Sequence, residues 1–270
     1  MISYPNVKIN LGLRVLRRRS DGYHDLETLF VPCGSLHDTL SIEEAEEFSF
    51  EGRIDWPVEK ELTVRAYGML REEFGIPPVK IRLEKGAPVG AGLGGGSADA
   101  AFALKMLSEM FSLGLSEEEL ARRAALLGSD CPFFIYNRPM FGEGRGEILS
   151  PFDIDLSGYD IRLFIPEGIS VSTADAYRGI RPYENCTAAG ALTGPSGTAH
   201  IPAGCNPAPL RNVLSLPVEQ WRGTLVNDFE PTVFAVHPRL ASLKEEIYAQ
   251  GAVYAAMSGS GSTLFGLFKK

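Results

Sequence analysis

The sequence is poor in histidine and tryptophan, with 4 and 2 residues, and its 4 cysteines are scattered. Cys33, Cys131, Cys186 and Cys205 form no Cys-x-x-Cys pair, which fits a reducing compartment with free thiols better than a disulfide framework. Cys186, His200 and Cys205 share one stretch but lack finger-like spacing, so a zinc site is not expected there. No apolar run reaches the roughly 18 residues of a membrane-spanning helix. Lys8 and Arg14 interrupt the apolar residues nearest the start, which argues against a signal peptide. Positive charge is short as well: 26 Lys and Arg against 34 Asp and Glu leave a formal net charge of -8 and no basic face for nucleic acid. The dipeptide Gly-Lys occurs nowhere, which removes the P-loop of nucleoside triphosphatases. These absences lead to the expectation of a cytoplasmic protein with neither membrane nor nucleic-acid partners.

What remains is ordinary globular composition, 44% hydrophobic and 22% charged over 270 residues, enough for one large domain or two small ones. Val7, Ile9, Leu11, Leu13 and Val15 alternate with polar or small residues, the period of a strand with one buried face, so Lys8 and Asn10 point the same way. Asp21-Gly22 marks a turn, and strands are expected at 26–31, 39–43 and 79–83. Helical spacing covers 62–74. The residues from Ala98 to Phe111 are apolar nearly all the way round, as in a buried helix. Ser116 and Glu119 have capping-box spacing ahead of a helix that stops at Gly128. The pattern restarts near residue 150 with a strand at 161–165. Helices are then expected at 218–221, 228–236 and 238–249, and strands at 252–257 and 263–268. Between Glu184 and Arg211 there is no charged residue, which reads as a long loop.

Gly90-Ala-Gly92-Leu-Gly94-Gly95-Gly96-Ser97 is the most informative stretch. Its glycines let the backbone bend through positive φ and approach a ligand with amide N–H groups inward. The helix that follows adds unpaired N–H groups and its dipole, worth about 0.3–2 kcal/mol toward an anion. A polyphosphate is the natural guest. The G-x-G-x-x-G pattern is also present, but a dinucleotide site needs an acidic strand end about 20 residues on, where this chain has Gly114-Leu-Ser-Glu.

Ser129-Asp130-Cys131-Pro132 places a carboxylate between an apolar helix and an apolar run. An Asp so placed must be paired or shift its pKa, and Lys8 is the candidate partner. Such a pair suits phosphoryl transfer, with Asp130 accepting a hydroxyl proton and Lys8 neutralising charge. Taken alone, Asp130 also reads as a turn residue and Lys8 as a solvated strand lysine. Arg17-Arg18-Arg19 reads as a solvated turn, and Ser258-Gly-Ser-Gly-Ser262 as a tight connection or a mobile glycine turn.

Five segments stand in the order seen in the GHMP kinase superfamily, which the chain resembles over nearly its whole length: Pro5-Asn-Val-Lys8-Ile-Asn10-Leu, Asp21-Gly-Tyr-His24, Pro88 to Ala101, Leu127-Gly-Ser-Asp130-Cys-Pro and Met257-Ser-Gly-Ser-Gly261. The resemblance implies a two-domain α+β fold. Residues 1–150 would form an N-terminal ribosomal-protein-like β/α domain with the ATP loop and catalytic pair. Residues 151–270 would form a C-terminal ferredoxin-like α/β domain, with the active site between the two. It implies Lys8 and Asp130 as the catalytic pair, and ATP held by Pro88, Val89, Gly90, Ala91, Gly92, Leu93, Gly94, Gly95, Gly96, Ser97 and Ala98, with Mg2+. The Asp-Gly-Tyr-His element selects the branch acting on a cytidine-diphosphate-linked methylerythritol. Asn10, Tyr23, His24, Thr173 and Tyr177 match its substrate-binding positions, with Tyr23 and Tyr177 sandwiching the cytosine. A monomer or weak homodimer is expected. Ala98 replaces a second serine, Glu61-Leu62 stands where Asn-Leu is usual near the adenine, and the end at Lys270 implies a shortened second domain.

Overall fold

In the computed structural model of the chain, residues 1–180 and 208–270 are described. Cys186, His200, Cys205 and most of the charge-free loop lie outside them. The chain divides into two units: Met1–Ile9 with Phe30–Met140, and Asn10–Leu29 with Phe141–Lys270. The cut expected at residue 150 therefore falls ten residues after the first unit ends, and an early hairpin belongs to the later unit.

The first unit holds β1 (Ile2–Ser3), the start of β2 (Asn6–Arg18), the end of β3 (His24–His37), β4 (Thr39–Glu44), β5 (Ser49–Gly52), α1 (Leu62–Phe74), β6 (Val79–Glu84), α2 (Gly95–Met110), α3 (Glu117–Leu127) and α4 (Cys131–Tyr136). One sheet has the order β1-β4-β6-β5, antiparallel except for the parallel pair β5 and β6. Helix α2 packs against α1, α3 and α4. Its buried Ala100, Ala101, Ala103, Leu104 and Leu107 bear out the all-round apolar pattern. Each fully buried leucine contributes about 1.5–3 kcal/mol. The helix starts three residues before the expected Ala98, because Gly95 and Gly96 form its first turn and glycine hides a helix start from propensity. Helix α3 begins on the expected capping box of Ser116 and Glu119.

Strand β2 corrects one expectation. Both of its faces are buried, with Lys8 only 3% exposed, because the polar face is covered as fully as the apolar one. Alternation reports which side chains share a face but not what lies over that face.

The second unit holds β7 (Met140–Glu143), β8 (Ile148–Pro151), β9 (Tyr159–Phe164), α5 (Thr173–Arg178), α6 (Leu210–Leu214), α7 (Glu230–Val236), α8 (Pro238–Ala249), β10 (Tyr254–Met257) and β11 (Leu264–Lys269). Met140 itself is the last residue of the first unit. One antiparallel sheet runs β10-β11-β9, and a second has the order β2-β3-β7-β8. A core of Leu13, Val15, Phe229, Val233, Leu240, Ile247, Met257 and Leu264 ties the early hairpin to α7, α8 and the sheet. The helix expected at 218–221 is a 3₁₀ turn, Val218–Gln220.

Candidate active site

The glycine loop joins β6 to α2. Gly90, Gly92 and Gly94 all have positive φ, and Gly94 at +73° is the left-handed N-cap of α2. No side chain caps that helix, so its first N–H groups stay available to an anion. From β2, the Lys8 N–H donates to the Leu93 carbonyl at 3.0 Å and the Lys8 ammonium to the Gly92 carbonyl at 3.0 Å. A cavity of about 460 Å³ opens against the loop. Pro88 to Gly92 and Gly94 to Ser97 form one wall, while Trp56, Lys60, Glu61, Leu62, Lys85 and Asp99 supply the rest. This size and the bare backbone wall fit a nucleoside triphosphate.

Lys8 and Asp130 meet: the ammonium lies 3.5 Å from Asp130 Oδ2. The lysine is buried, while the Asp130 side chain is 34% exposed and open to a partner. Asp130 sits just ahead of α4, where Pro132 occupies the first turn. Burial lowers the Lys8 pKa, and the Coulombic pull and hydrogen bond of Asp130 oppose that shift. Neither residue lines the cavity. Next to them, the Cys131 thiol is pushed up to about 12 by burial, so it is inert at neutral pH.

The remaining predicted residues lie in the second unit. Asn10 donates to the Thr28 hydroxyl at 3.0 Å, and that hydroxyl donates to the Gly12 carbonyl. Tyr177 stacks on His24, with ring centroids 4.7 Å apart and planes 17° apart. Tyr23, 56% exposed, instead lies under the Arg145 guanidinium at 4.7 Å. Tyr177 also meets the Phe229 ring edge-on, with centroids 4.8 Å apart. The Thr173 and Ser260 hydroxyls are 3.0 Å apart, joining α5 to the Ser258–Ser262 turn. In the arginine turn, Arg17 pairs with Asp25, and Arg19 with Asp21 and Asp25.

Three arrangements were missed. Glu61 caps α1, accepting from the Thr63 N–H, and also accepts from the Trp56 indole at 3.0 Å, which fixes both side chains at the cavity wall. Lys85 joins Asp38 and Asp99 beneath the glycine loop. In Asn227-Asp-Phe-Glu230, the Asn227 amide donates to the carbonyls of Met257 and Gly259, and Glu230 accepts from the Met257 N–H, so the second glycine turn is braced by side chains. The only sequence signal for this last brace was a cluster of polar residues among apolar ones.

The description GHMP kinases N terminal domain matches residues 61–138, and GHMP kinases C terminal matches 218–270. A glycine loop at a helix start beside a lysine and an aspartate defines a phosphotransferase of that kind. The chain is 46% identical over 275 residues to the 4-diphosphocytidyl-2-C-methyl-D-erythritol kinase of Bacteroides fragilis, covering 99% of this chain and 92% of that one. It is 44% identical over 273 residues to the kinase of the same name from Azobacteroides pseudotrichonymphae, covering 100% and 94%. A crystal structure of 4-(cytidine 5'-diphospho)-2C-methyl-D-erythritol kinase superposes with a TM-score of 0.74 at 33% identity, over 99% of this chain and 90% of that one. The chain belongs to the GHMP kinases, within the 4-diphosphocytidyl-2-C-methyl-D-erythritol kinase family.

Proposed function

We propose that this kinase transfers the γ-phosphoryl group of ATP to the 2-hydroxyl of 4-diphosphocytidyl-2-C-methyl-D-erythritol, in the non-mevalonate route to isoprenoid precursors. The observation that carries the reading is the Lys8–Asp130 pair, 3.5 Å apart, with Lys8 also bonded to the glycine loop at Gly92. Asp130 takes the proton of the substrate hydroxyl as its oxygen bonds to the γ-phosphorus. The bond from that phosphorus to the β,γ-bridging oxygen breaks, and ADP leaves. Lys8 pairs with Asp130 and offsets charge on the transferring group. Pro88 to Ala98 hold the triphosphate on backbone amides. Asn10, Tyr23, His24, Thr173 and Tyr177 hold the cytidine diphosphate part, where base stacking is worth about 1–3 kcal/mol.

Mg2+ would screen the triphosphate. Among the described residues no group of three or more His, Cys, Asp or Glu side chains could hold a metal. No described helix is long and apolar enough to cross a membrane. The protein acts in the cytoplasm as a monomer or weak homodimer, without nucleic acid.

A coupled ADP-release assay tests the assignment: turnover is expected with the cytidylated alcohol, and not with mevalonate or homoserine. Equal turnover on either of those would move the protein to another branch. The pH profile gives a second test. Because burial lowers the Lys8 pKa, its ammonium loses its proton as pH rises through a value below that of a free lysine. Activity should fall as pH rises through that value. A kcat/KM profile flat up to the ordinary lysine range would remove the Lys8 charge from the reaction.

A further inference from the structure

Beneath the glycine loop lies a group of charges that the reaction does not use. Lys85 leaves β6 at the loop entry, Asp38 sits between β3 and β4, and Asp99 lies in the second turn of α2. The Lys85 ammonium pairs with Asp38 Oδ2 and is 2.6 Å from Asp99 Oδ2. Asp38 Oδ1 accepts from the N–H groups of Gly86 and Ala87, at 2.7 and 2.8 Å. Entry and exit of the loop are therefore joined through one lysine. Packing at both ends is tight: a Cβ on Gly86 would run into the His37 carbonyl, and one on Gly95 would lie 3.3 Å from the Lys85 ammonium.

Two observations link this group to the nucleotide cavity. Lys85 and Asp99 both line it. Asp99 is 0% exposed, and its Oδ1 has no hydrogen-bond partner among the described residues. A buried polar atom without a partner costs about 1–3 kcal/mol, so its retention needs a reason. The electrostatics favour an anionic guest too. Burial pushes the Asp99 carboxyl up to about 8 against the pull of Lys85, which disfavours a second negative charge beside Asp38. Three fully ionised groups would place a net negative charge under a phosphate cradle.

We infer that Asp38, Lys85 and Asp99 form a clasp that sets the span of the glycine loop, and that Asp99 is a positioning residue for the bound nucleotide. The clasp fixes the distance between Ala87 and the start of α2, and hence where the N–H groups of residues 90–97 point. It rests on the ATP reading above, and it extends that reading to residues outside the loop. Its effect falls on ATP and leaves the alcohol and the Lys8–Asp130 step alone.

The experiment compares Asp99→Ala with Asp99→Asn in the full chain. Asparagine resembles the protonated acid in shape and keeps an oxygen for Lys85. Asp99→Ala is expected to raise the KM for ATP about tenfold, within the 5- to 150-fold that an unmade buried bond allows, with kcat and the KM for the alcohol within about threefold. Asp99→Asn should recover most of the ATP affinity. Fluorescence of Trp56, which lines the cavity, gives a Kd for ATP without turnover, and Trp56→Phe identifies its share of the signal. The same rise in Kd supports the clasp even if the wild-type protein does not phosphorylate the cytidylated alcohol, in which case the substrate assignment alone fails. An unchanged KM and Kd in folded Asp99→Ala overturns the clasp. So does a parallel loss in all constants that tracks melting temperature and that asparagine does not reverse. Where Asp99→Ala does not fold, Asp99→Ser and Lys85→Gln carry the same comparison.

Discussion

Asp130→Asn is expected to lower turnover by about 10²–10⁴, the range for losing a general base, with the Kd for ATP within about twofold. The amide keeps the shape of the carboxylate but cannot take a proton from the alcohol. Because the cavity against the glycine loop is lined without Asp130, nucleotide binding should be spared. The split is informative: a drop in kcat with unchanged Kd assigns Asp130 to the chemical step, whereas near-wild-type turnover removes it. Lys8 in the variant would face an uncharged partner while still bonded to the Gly92 carbonyl. Its ammonium would then be easier to deprotonate, so the alkaline fall in residual activity should move to lower pH.

The second large effect is expected at Gly94. Its φ of +73° lies in the left-handed region, which costs a residue with a Cβ about 1–2 kcal/mol. A Cβ there would also lie 3.0 Å from the Phe134 ring and 3.3 Å from Lys8 Cε. Gly94→Ala should therefore shift Lys8 as well as strain the loop, and lower kcat about 10²-fold, as misplacement of a reacting group by about 1 Å can do. Gly90 is the comparison. Its φ is +72°, yet nothing lies within 4 Å of a Cβ built there. Gly90→Ala adds backbone strain and a methyl on the nucleotide wall but no contact with Lys8, so it should raise the KM for ATP and lower kcat distinctly less. If the two variants lose equally, contact with Lys8 is not what makes Gly94 necessary.

Local signals were legible in the sequence. The capping box at Ser116 and Glu119 and the stop at Gly128 involve neighbours a few residues apart, and helix α3 follows them. The glycine loop was legible because so many glycines in so few positions have few other uses. Helix α4 was hidden because six residues hold less than two turns, too few for a period to show. The clasp was hidden for a different reason. Lys85 and Asp38 are 47 positions apart, and no spacing rule joins a strand end to a turn at that range. The covered polar face of β2 belongs with it, since the chain that buries Lys8 comes from near residue 93. The stack of His24 on Tyr177 of α5 was hidden in the same way, because no spacing rule joins a hairpin tip to so distant a helix.

Because residues 10–29 are built into the later unit and residues 30–140 into the earlier one, no single break in the chain yields two complete halves. A recombinant fragment ending at residue 140 would carry an orphaned hairpin, with Leu13 and Val15 stripped of Phe229, Val233 and Met257. Such a fragment should aggregate, whereas grafting a short linker in place of residues 10–29 would remove the sticky segment.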